Sequence, residues 1–263
     1  MLPLARTFRQ RAIVYALARR ELAARYRGGV LGFFWSLLNP LLLLAVYATI
    51  FRYVFAPRAD VHPYALFLFG GVLVWGFASA ALLDAAETFR ANAPLLRKTT
   101  VAPEVFPAVA VVARLAHLAL ALPVLAAAIV WATLRGSAAP GLALLQFPLV
   151  LLLLAAAVHG LALAISALAV HFGDVRDLTG NILTLAFFVT PILYPLEAVP
   201  ERFRGLLRAN PFAAYFSAIH DSVFFFRWVS WVEWAWMAGT AVVLLAVGSV
   251  VFERLRDSIA EEA

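Results

Sequence analysis

Residues 64–83 read YALFLFGGVLVWGFASAALL, twenty residues without a charged side chain. A helix of this length rises about 30 Å, which is the thickness of the hydrocarbon core of a bilayer. The rest of the chain is similar, because 64% of its 263 residues are hydrophobic and only 14% are charged. A soluble globule of this size has too little interior to bury so much apolar surface. We therefore predict an integral membrane protein, which excludes a soluble enzyme, a DNA-binding domain and a disordered chain.

Further apolar stretches lie on both sides of this one. Six are long enough to cross a bilayer, at about 17–25 residues per crossing: 30–51, 64–83, 105–134, 141–170, 178–196 and 234–252. A seventh stretch, 211–226, is short and carries His220 and Asp221. It fits a re-entrant or interfacial helix whose polar groups are covered by protein or water. The predicted fold is an all-α membrane protein with six transmembrane helices and re-entrant outer helices between the fifth and sixth.

The first 28 residues are rich in arginine and carry apolar residues at helical spacing. The apolar positions are Leu4, Phe8, Tyr15, Ala18, Leu22 and Tyr26. This pattern predicts a basic amphipathic helix in the headgroup plane, and a solvated tail is the alternative. With six crossings and both termini in the cytoplasm, the inner segments hold nearly twice as many Lys and Arg residues as the outer ones. The positive-inside rule favours that orientation.

Several kinds of chemistry have no candidate residues in this sequence. Cysteine is absent, which removes disulfides and thiolate zinc sites. A phosphate-binding P-loop needs Gly-Lys-Ser/Thr, but the single lysine, Lys98, follows Arg97. The five histidines are scattered, and the net charge of +6 sits at membrane edges. We therefore expect no catalytic residue, metal, cofactor or nucleic-acid partner for the chain itself.

Two segments on the predicted cytoplasmic side mix charge with apolar residues. In 21–40 a basic helix ends at Arg27-Gly28-Gly29 and an apolar helix begins, so the glycines permit a turn into the membrane. Residues 92–107 read NAPLLRKTTVAPEVFP. A short amphipathic helix here is suited to dock in a partner's groove, and an ordinary charged loop is the alternative.

Broken helices characterise the predicted outer side. Thr190-Pro191 and Tyr194-Pro195 interrupt the fifth stretch, and a polar hairpin follows at 197–208. Asn210 is predicted to cap a short helix that starts at Pro211. Broken helices with a returning segment often surround a translocation path.

Aromatic residues concentrate near these segments. Interfacial belts account for many such rings, and aromatic faces also pack against the C–H faces of sugars. The candidates for lining a path are Phe33, Phe34, Trp35, Tyr47, Phe51, Phe55, Phe187, Phe188 and Tyr194.

Four segments in order resemble the permease subunit of type-2 ABC exporters for lipid-linked polysaccharide, a group that includes O-antigen, capsule and teichoic-acid exporters. They are RELAARYRGGVLGFFWSLLNPLLLLAVYATIFRYVF at 20–55, LLRKTTVAPEVFP at 95–107, FGDVRDLTGNILTLAFFVTPILYP at 172–195 and FERLRDSIAEEA at 252–263. The resemblance covers nearly the whole chain. It departs from the family at 99–103, where more basic and aromatic residues are expected.

The resemblance implies a homodimer of six-span protomers in the bacterial inner membrane, with the seam between spans one and five. It implies two copies of a separate ATPase that bind ATP and Mg and drive a lipid-linked glycan outward, so the chain is non-catalytic. The implied division of the chain is an interface helix at 1–28, a transmembrane domain at 29–254 and a cytoplasmic tail at 255–263. Within the transmembrane domain lie a coupling segment at 92–104 and an outer re-entrant gate region at 197–227.

The resemblance also assigns roles to residues. It assigns the entry of the lipid head group to Arg20, Arg25 and Arg27. It assigns coupling to the ATPase to Leu95, Leu96, Arg97, Lys98, Pro103 and Glu104. It assigns the outer gate to Pro191, Pro195, Asn210 and Pro211.

Three other functions stay open from the residues alone. A permease for a small hydrophobic drug or lipid would share the fold and the partner. A membrane-embedded glycosyl- or acyl-transferring enzyme would use the only acids and histidine clustered at one face, His171, Asp174 and Asp177. An ion channel or proton-coupled carrier is disfavoured by the scarcity of intramembrane acids.

Overall fold

A computed structural model describes residues 3–26, 34–53, 63–98 and 100–262, with the backbone alone at 26, 51–53, 97, 98 and 260–262. All regular secondary structure in these ranges is helical. The α-helices are α1 (Pro3–Arg9), α2 (Arg11–Tyr26), α3 (Trp35–Tyr53), α4 (Tyr64–Lys98), α5 (Val105–Leu134), α6 (Phe147–His171), α7 (Val175–Val189), α8 (Glu201–Ala209), α9 (Ala213–Val223) and α10 (Trp231–Glu262). Short 3₁₀ turns lie at Leu142–Gln146 and Leu196–Ala198.

Four helices in the described residues are long and apolar enough to cross a bilayer. They are Tyr64–Leu96, Val105–Leu134, Leu142–His171 and Trp231–Ile259. α3 has a shorter apolar part, Trp35–Ile50, and α7 has 15 residues. The prediction that 178–196 forms one span is therefore wrong in its bounds. Pro191 forces Thr190 into an extended conformation (φ −88°, ψ 138°), which ends α7 at Val189.

Helices α6 and α10 cross with their backbones in close contact. A Cβ atom added at Gly248 would lie 1.8 Å from the carbonyl oxygen of Gly160, and one added at Gly160 would lie 2.4 Å from the backbone of Leu244. Only glycine at both positions permits this approach. Close backbone packing at small residues drives helix association in membranes, where lipid is as apolar as the side chains.

Both α4 and α10 extend beyond their apolar stretches. α4 has 35 residues and α10 has 32, so each is about 50 Å long against a hydrocarbon core of about 30 Å. α4 is kinked at Asn92 (φ −114°, ψ 16°), two residues before Pro94. The coupling segment therefore begins inside α4, and the tail predicted at 255–263 continues α10 as helix through Glu262.

The N-terminal segment is two helices rather than one. They meet at Gln10, whose side-chain oxygen accepts a hydrogen bond from the Ala102 N–H at 3.1 Å. Val14 and Ala18 are buried against α5, whereas Phe8 and Tyr15 are each 67% exposed. One side of α2 therefore meets protein, and the position of the segment in the headgroup plane stays a prediction.

Helix α1 and the last part of α10 lie at the same end of the bundle, because Arg6 in α1 contacts Glu253 in α10. We call this the terminal end. The opposite end carries the start of α4 and the turn after α7, where the Tyr64 hydroxyl donates to the Leu193 carbonyl.

Candidate functional site

A buried carboxylate links three segments at the terminal end. Glu104, directly before α5, has a side chain with no exposed surface. Its oxygens lie 3.1 Å from the Arg6 guanidinium in α1 and 3.6 Å from that of Arg256 in α10. Arg6 also contacts Glu253 at 2.5 Å. We call these four residues the Glu104 cluster. A charge buried this fully requires its partners, so the cluster holds α1, the 100–104 segment and the end of α10 together.

The leucines predicted to couple to an ATPase pack inside the chain. Leu95 and Leu96 are half-buried against a cluster whose core is Phe89, Phe106, Leu163, Ala167, Phe252 and Ile259. In the same segment Pro94 and Thr100 are exposed, and Pro103 is half-buried. Arg97 and Lys98 end α4, and their side chains lie outside the described residues. Among the described side chains of the predicted coupling segment, Pro94 and Thr100 are thus more exposed than the two leucines.

A second ionic cluster joins α2, α4 and α5. Arg114 donates to both carboxylate oxygens of Asp84, at 2.5 and 2.7 Å. Arg25 lies 3.4 Å from Asp84 and 3.7 Å from Glu21. Burial, reinforced by the Asp84 carboxylate, raises the pKa of Glu21 above its ordinary value. The pair of Asp84 and Arg114 was missed from the sequence, although an isolated arginine in an apolar stretch indicates that a partner acid is required.

The three arginines predicted to attract the lipid head group differ in how the structure describes them. Arg20 is exposed on α2, and Arg25 is partly engaged by Glu21 and Asp84. Arg27 lies outside the described residues.

The predicted path aromatics do not converge on one cavity within the described part of the protomer. Phe34, Trp35 and Phe188 are exposed, and Phe187 is half-buried against Trp75. Tyr47 packs against Phe67 and Leu68. The Tyr194 hydroxyl donates to the Phe188 carbonyl at 2.9 Å. Phe33, Phe55 and the side chain of Phe51 lie outside the described residues.

Asn210 ties the broken segments together at the opposite end. Its amide nitrogen donates to the Thr190 hydroxyl at 2.9 Å, and its side-chain oxygen accepts from the Phe212 N–H at 2.9 Å. The prediction that Asn210 caps a helix starting at Pro211 is wrong by two residues, because α9 begins at Ala213. The half-buried Pro211 lies in the intervening turn. Pro191 is buried and Pro195 half-buried in the segment between α7 and α8.

The returning helix α9 is buried in the bundle. The Tyr215 hydroxyl donates to the Met237 carbonyl at 2.6 Å, which fixes α9 to α10. The His220 side chain is buried and stacks on Phe67 of α4, with the ring centroids 3.7 Å apart. An apolar helix of 11 residues is too short to cross a bilayer and is held here by protein on several sides.

Replacing Asn210 with alanine will lower the free energy of unfolding by about 1–2 kcal/mol, because both of its hydrogen bonds are lost together. Thermal unfolding of the purified protein in detergent measures the change. Glu201→Ala is the control, since the Glu201 side chain is 91% exposed on the neighbouring helix α8. Equal midpoints for the two variants would contradict a joining role for Asn210.

The residues of the enzyme alternative lie in different surroundings. The His171 Nε2 atom lies 2.7 Å from the Ser258 hydroxyl, whereas Asp174 and Asp177 are exposed. Arg176, between them, reaches Glu87 of α4 at 2.6 Å. This turn joins α6 and α7 to their neighbours.

The fold and these two ends define a helical membrane protein with broken helices at one end and interlocked charged segments at the other. Residues 13–224 match the ABC-2 type transporter family. The chain belongs to this family, which confirms the resemblance found in the sequence.

Named relatives align over most of the chain. It is 33% identical over 256 residues to the O-antigen export system permease protein RfbA of Myxococcus xanthus, covering 97% of this chain and 96% of that one. It is 27% identical over 250 residues to a protein of the same name from Klebsiella pneumoniae, covering 95% and 94%. It is 25% identical over 203 residues to the polysialic acid transport protein KpsM of Escherichia coli, covering 77% of each.

Proposed function

We propose that this protein is the permease subunit of an ATP-driven exporter that moves a lipid-linked polysaccharide across the bacterial inner membrane. The observation that carries the proposal is the alignment, over 97% of the chain, with an O-antigen export permease. The KpsM relative, a polysialic acid transport protein, also points to polysaccharide rather than to a small drug or lipid. The chain contributes no catalytic residue, and ATP and Mg bind to a partner ATPase.

In this proposal six helices cross the membrane, namely α3, α4, α5, α6, α7 and α10. The terminal end is cytoplasmic, which is supported by the arginines of α1 and α2 and by the contact of α1 with the last part of α10. The broken segments then lie outside, with α8 and α9 as re-entrant helices of the gate region at 197–227.

The translocation path in this proposal lies between the two copies of a homodimer. α7 exposes Leu178, Ile182, Leu185 and Phe188, and α3 exposes Leu41, Leu42 and Val46. We place the seam between these helices of the two copies, with the exposed aromatics Phe34, Trp35 and Phe188 along it. Aromatic faces hold a polymer weakly enough to let it slide.

The ATPase acts on the terminal end. It contacts the coupling segment at 92–104 through exposed residues such as Pro94 and Thr100, while Leu95 and Leu96 anchor the segment to the bundle. The Glu104 cluster then transmits displacement of the segment to α1 and α10. The arginines of α2, including Arg20 and Arg25, attract the anionic head group at the cytoplasmic entrance.

The test is co-purification with the ATPase encoded beside this chain, followed by ATP hydrolysis in lipid nanodiscs. We expect hydrolysis to depend on the pair, and Thr100→Trp to reduce ATPase binding without changing the thermal midpoint, because Thr100 is exposed. The matched variant Leu96→Asp should instead lower the thermal midpoint, because it places a charge against the chain's own apolar cluster.

Two results would contradict the proposal. One is the absence of a complex with any neighbouring ATPase. The other is ATP hydrolysis by the isolated chain, which would contradict the assignment of ATP binding to a partner subunit.

A further inference from the structure

A cavity of about 610 Å³ lies at the opposite end of the bundle. Its walls come from the turn after α7, from α8 and α9, and from the first two turns of α10. The volume falls within the range of about 300–1,000 Å³ that small-molecule sites occupy. We call it the outer cavity.

The charged side chains that line the outer cavity have no net charge. Three arginines and three carboxylates line it: Arg204, Arg208, Arg227, Glu197, Asp221 and Glu233. Five of them, all except Arg208, are in contact with one another, with Ser230 or with the backbone. Arg227 contacts Asp221 at 2.5 Å and Glu197 at 3.3 Å, and Arg204 donates to the Val199 and Glu197 carbonyls at 2.7 and 2.6 Å.

Apolar and aromatic groups form the rest of the wall. Phe225 and Trp236 line the cavity together with Pro191, Pro195 and Val232. The Arg227 guanidinium lies 4.4 Å from the centre of the Phe225 ring, so the polar and aromatic groups meet in one place. Trp236 is about half exposed, which leaves its ring free to contact a ligand.

We propose that the outer cavity binds an uncharged sugar unit of the exported glycan on the outer side of the membrane. A sugar ring presents hydroxyls around its rim and C–H groups on its faces. The fixed carboxylates accept hydrogen bonds from hydroxyls, the guanidinium groups donate to them, and the aromatic rings cover the C–H faces.

The charge balance separates this ligand from two others. An anionic lipid head group would favour an excess of arginine, and a cationic drug would favour an excess of carboxylate. Here the opposite charges are equal in number, and Arg227 is already paired. A neutral ligand with many hydroxyls requires no net charge from its site.

This inference rests on the proposed function, and one experiment distinguishes their failures. The full chain and its ATPase are expressed in the cells that make the native surface polysaccharide. A photo-crosslinking amino acid, benzoylphenylalanine, replaces Trp236 or, in a second variant, the exposed cavity residue Val232. Trp231 is the matched control, because it lies on the same helix, is 89% exposed and is outside the cavity. Phe188 serves as the position on the proposed path.

We expect light to produce polysaccharide adducts at Trp236 and Val232 that exceed those at Trp231 by about tenfold, the effect of one aromatic or charge-assisted contact. Adding Arg208→Ala should reduce the Trp236 adduct by a similar factor. Adducts at position 188, with no excess over position 231 at either position 236 or position 232, would overturn the inference. The proposed export function would still stand. Adducts of phospholipid size at the cavity would also overturn it. Surface polysaccharide that persists when the chain is deleted would overturn the proposed function itself.

Discussion

Replacing Gly248 with valine will prevent stable folding of the protein. A Cβ atom at this position would lie 1.8 Å from the Gly160 carbonyl oxygen, so α6 and α10 would have to separate along their crossing. Backbone atoms cannot move aside as a flexible side chain can. We expect a loss of at least about 3 kcal/mol, at the upper end of the cost of overpacking a core. Fluorescence-detected size-exclusion chromatography after a temperature series measures the loss.

Gly239→Val is the control for this prediction. Gly239 lies on the same helix, and an added Cβ atom would meet nothing within 4 Å. The two substitutions are identical in chemistry and differ in their surroundings. A Gly248→Val protein as monodisperse and heat-stable as Gly239→Val would show that α6 and α10 do not cross where we place them.

The second large effect is expected at Glu104. Changing Glu104 to glutamine keeps the shape of the side chain and removes the charge, which leaves Arg6 and Arg256 without their shared partner. The Arg6 and Arg256 side chains are 17% and 34% exposed, so the expected loss is that of contacts to a charged group, about 1.5–3 kcal/mol. Under the proposed function we also expect ATP hydrolysis to continue while export falls, because the coupling segment is no longer held to α1 and α10.

Glu253→Gln separates the buried contact from the exposed one. Glu253 contacts the same Arg6, but its side chain is 45% exposed, so the expected cost is below about 1 kcal/mol. Thermal midpoints of both variants, and export by the assembled complex, are the measurements. The role of the Glu104 cluster is contradicted where the two variants have the same stability and the same export.

The helical class and the interruption of the fifth stretch were predictable from the residues. Uncharged stretches such as 64–83 require lipid or protein around them, and Thr190-Pro191 restricts the backbone locally. Both signals are contained in neighbouring residues, so no knowledge of the fold is needed to interpret them.

Contacts between distant segments were not predictable in the same way. Gly160 and Gly248 each look like an ordinary glycine in an apolar stretch, and only their meeting in the folded protein gives them their role. Leu95 and Leu96 illustrate a related limit. An amphipathic segment at a membrane edge presents the same pattern whether its leucines dock in a partner or in their own bundle, and here they pack in their own bundle.

The central claim, that this chain is the permease subunit of a polysaccharide exporter, is tested most directly by deleting its gene and following the glycan. We predict that surface polysaccharide disappears while its lipid-linked form accumulates inside the cell, and that the wild-type chain and Gly239→Val restore export whereas Glu104→Gln does not. Unchanged surface polysaccharide in the deletion strain, with no internal accumulation, would contradict the claim.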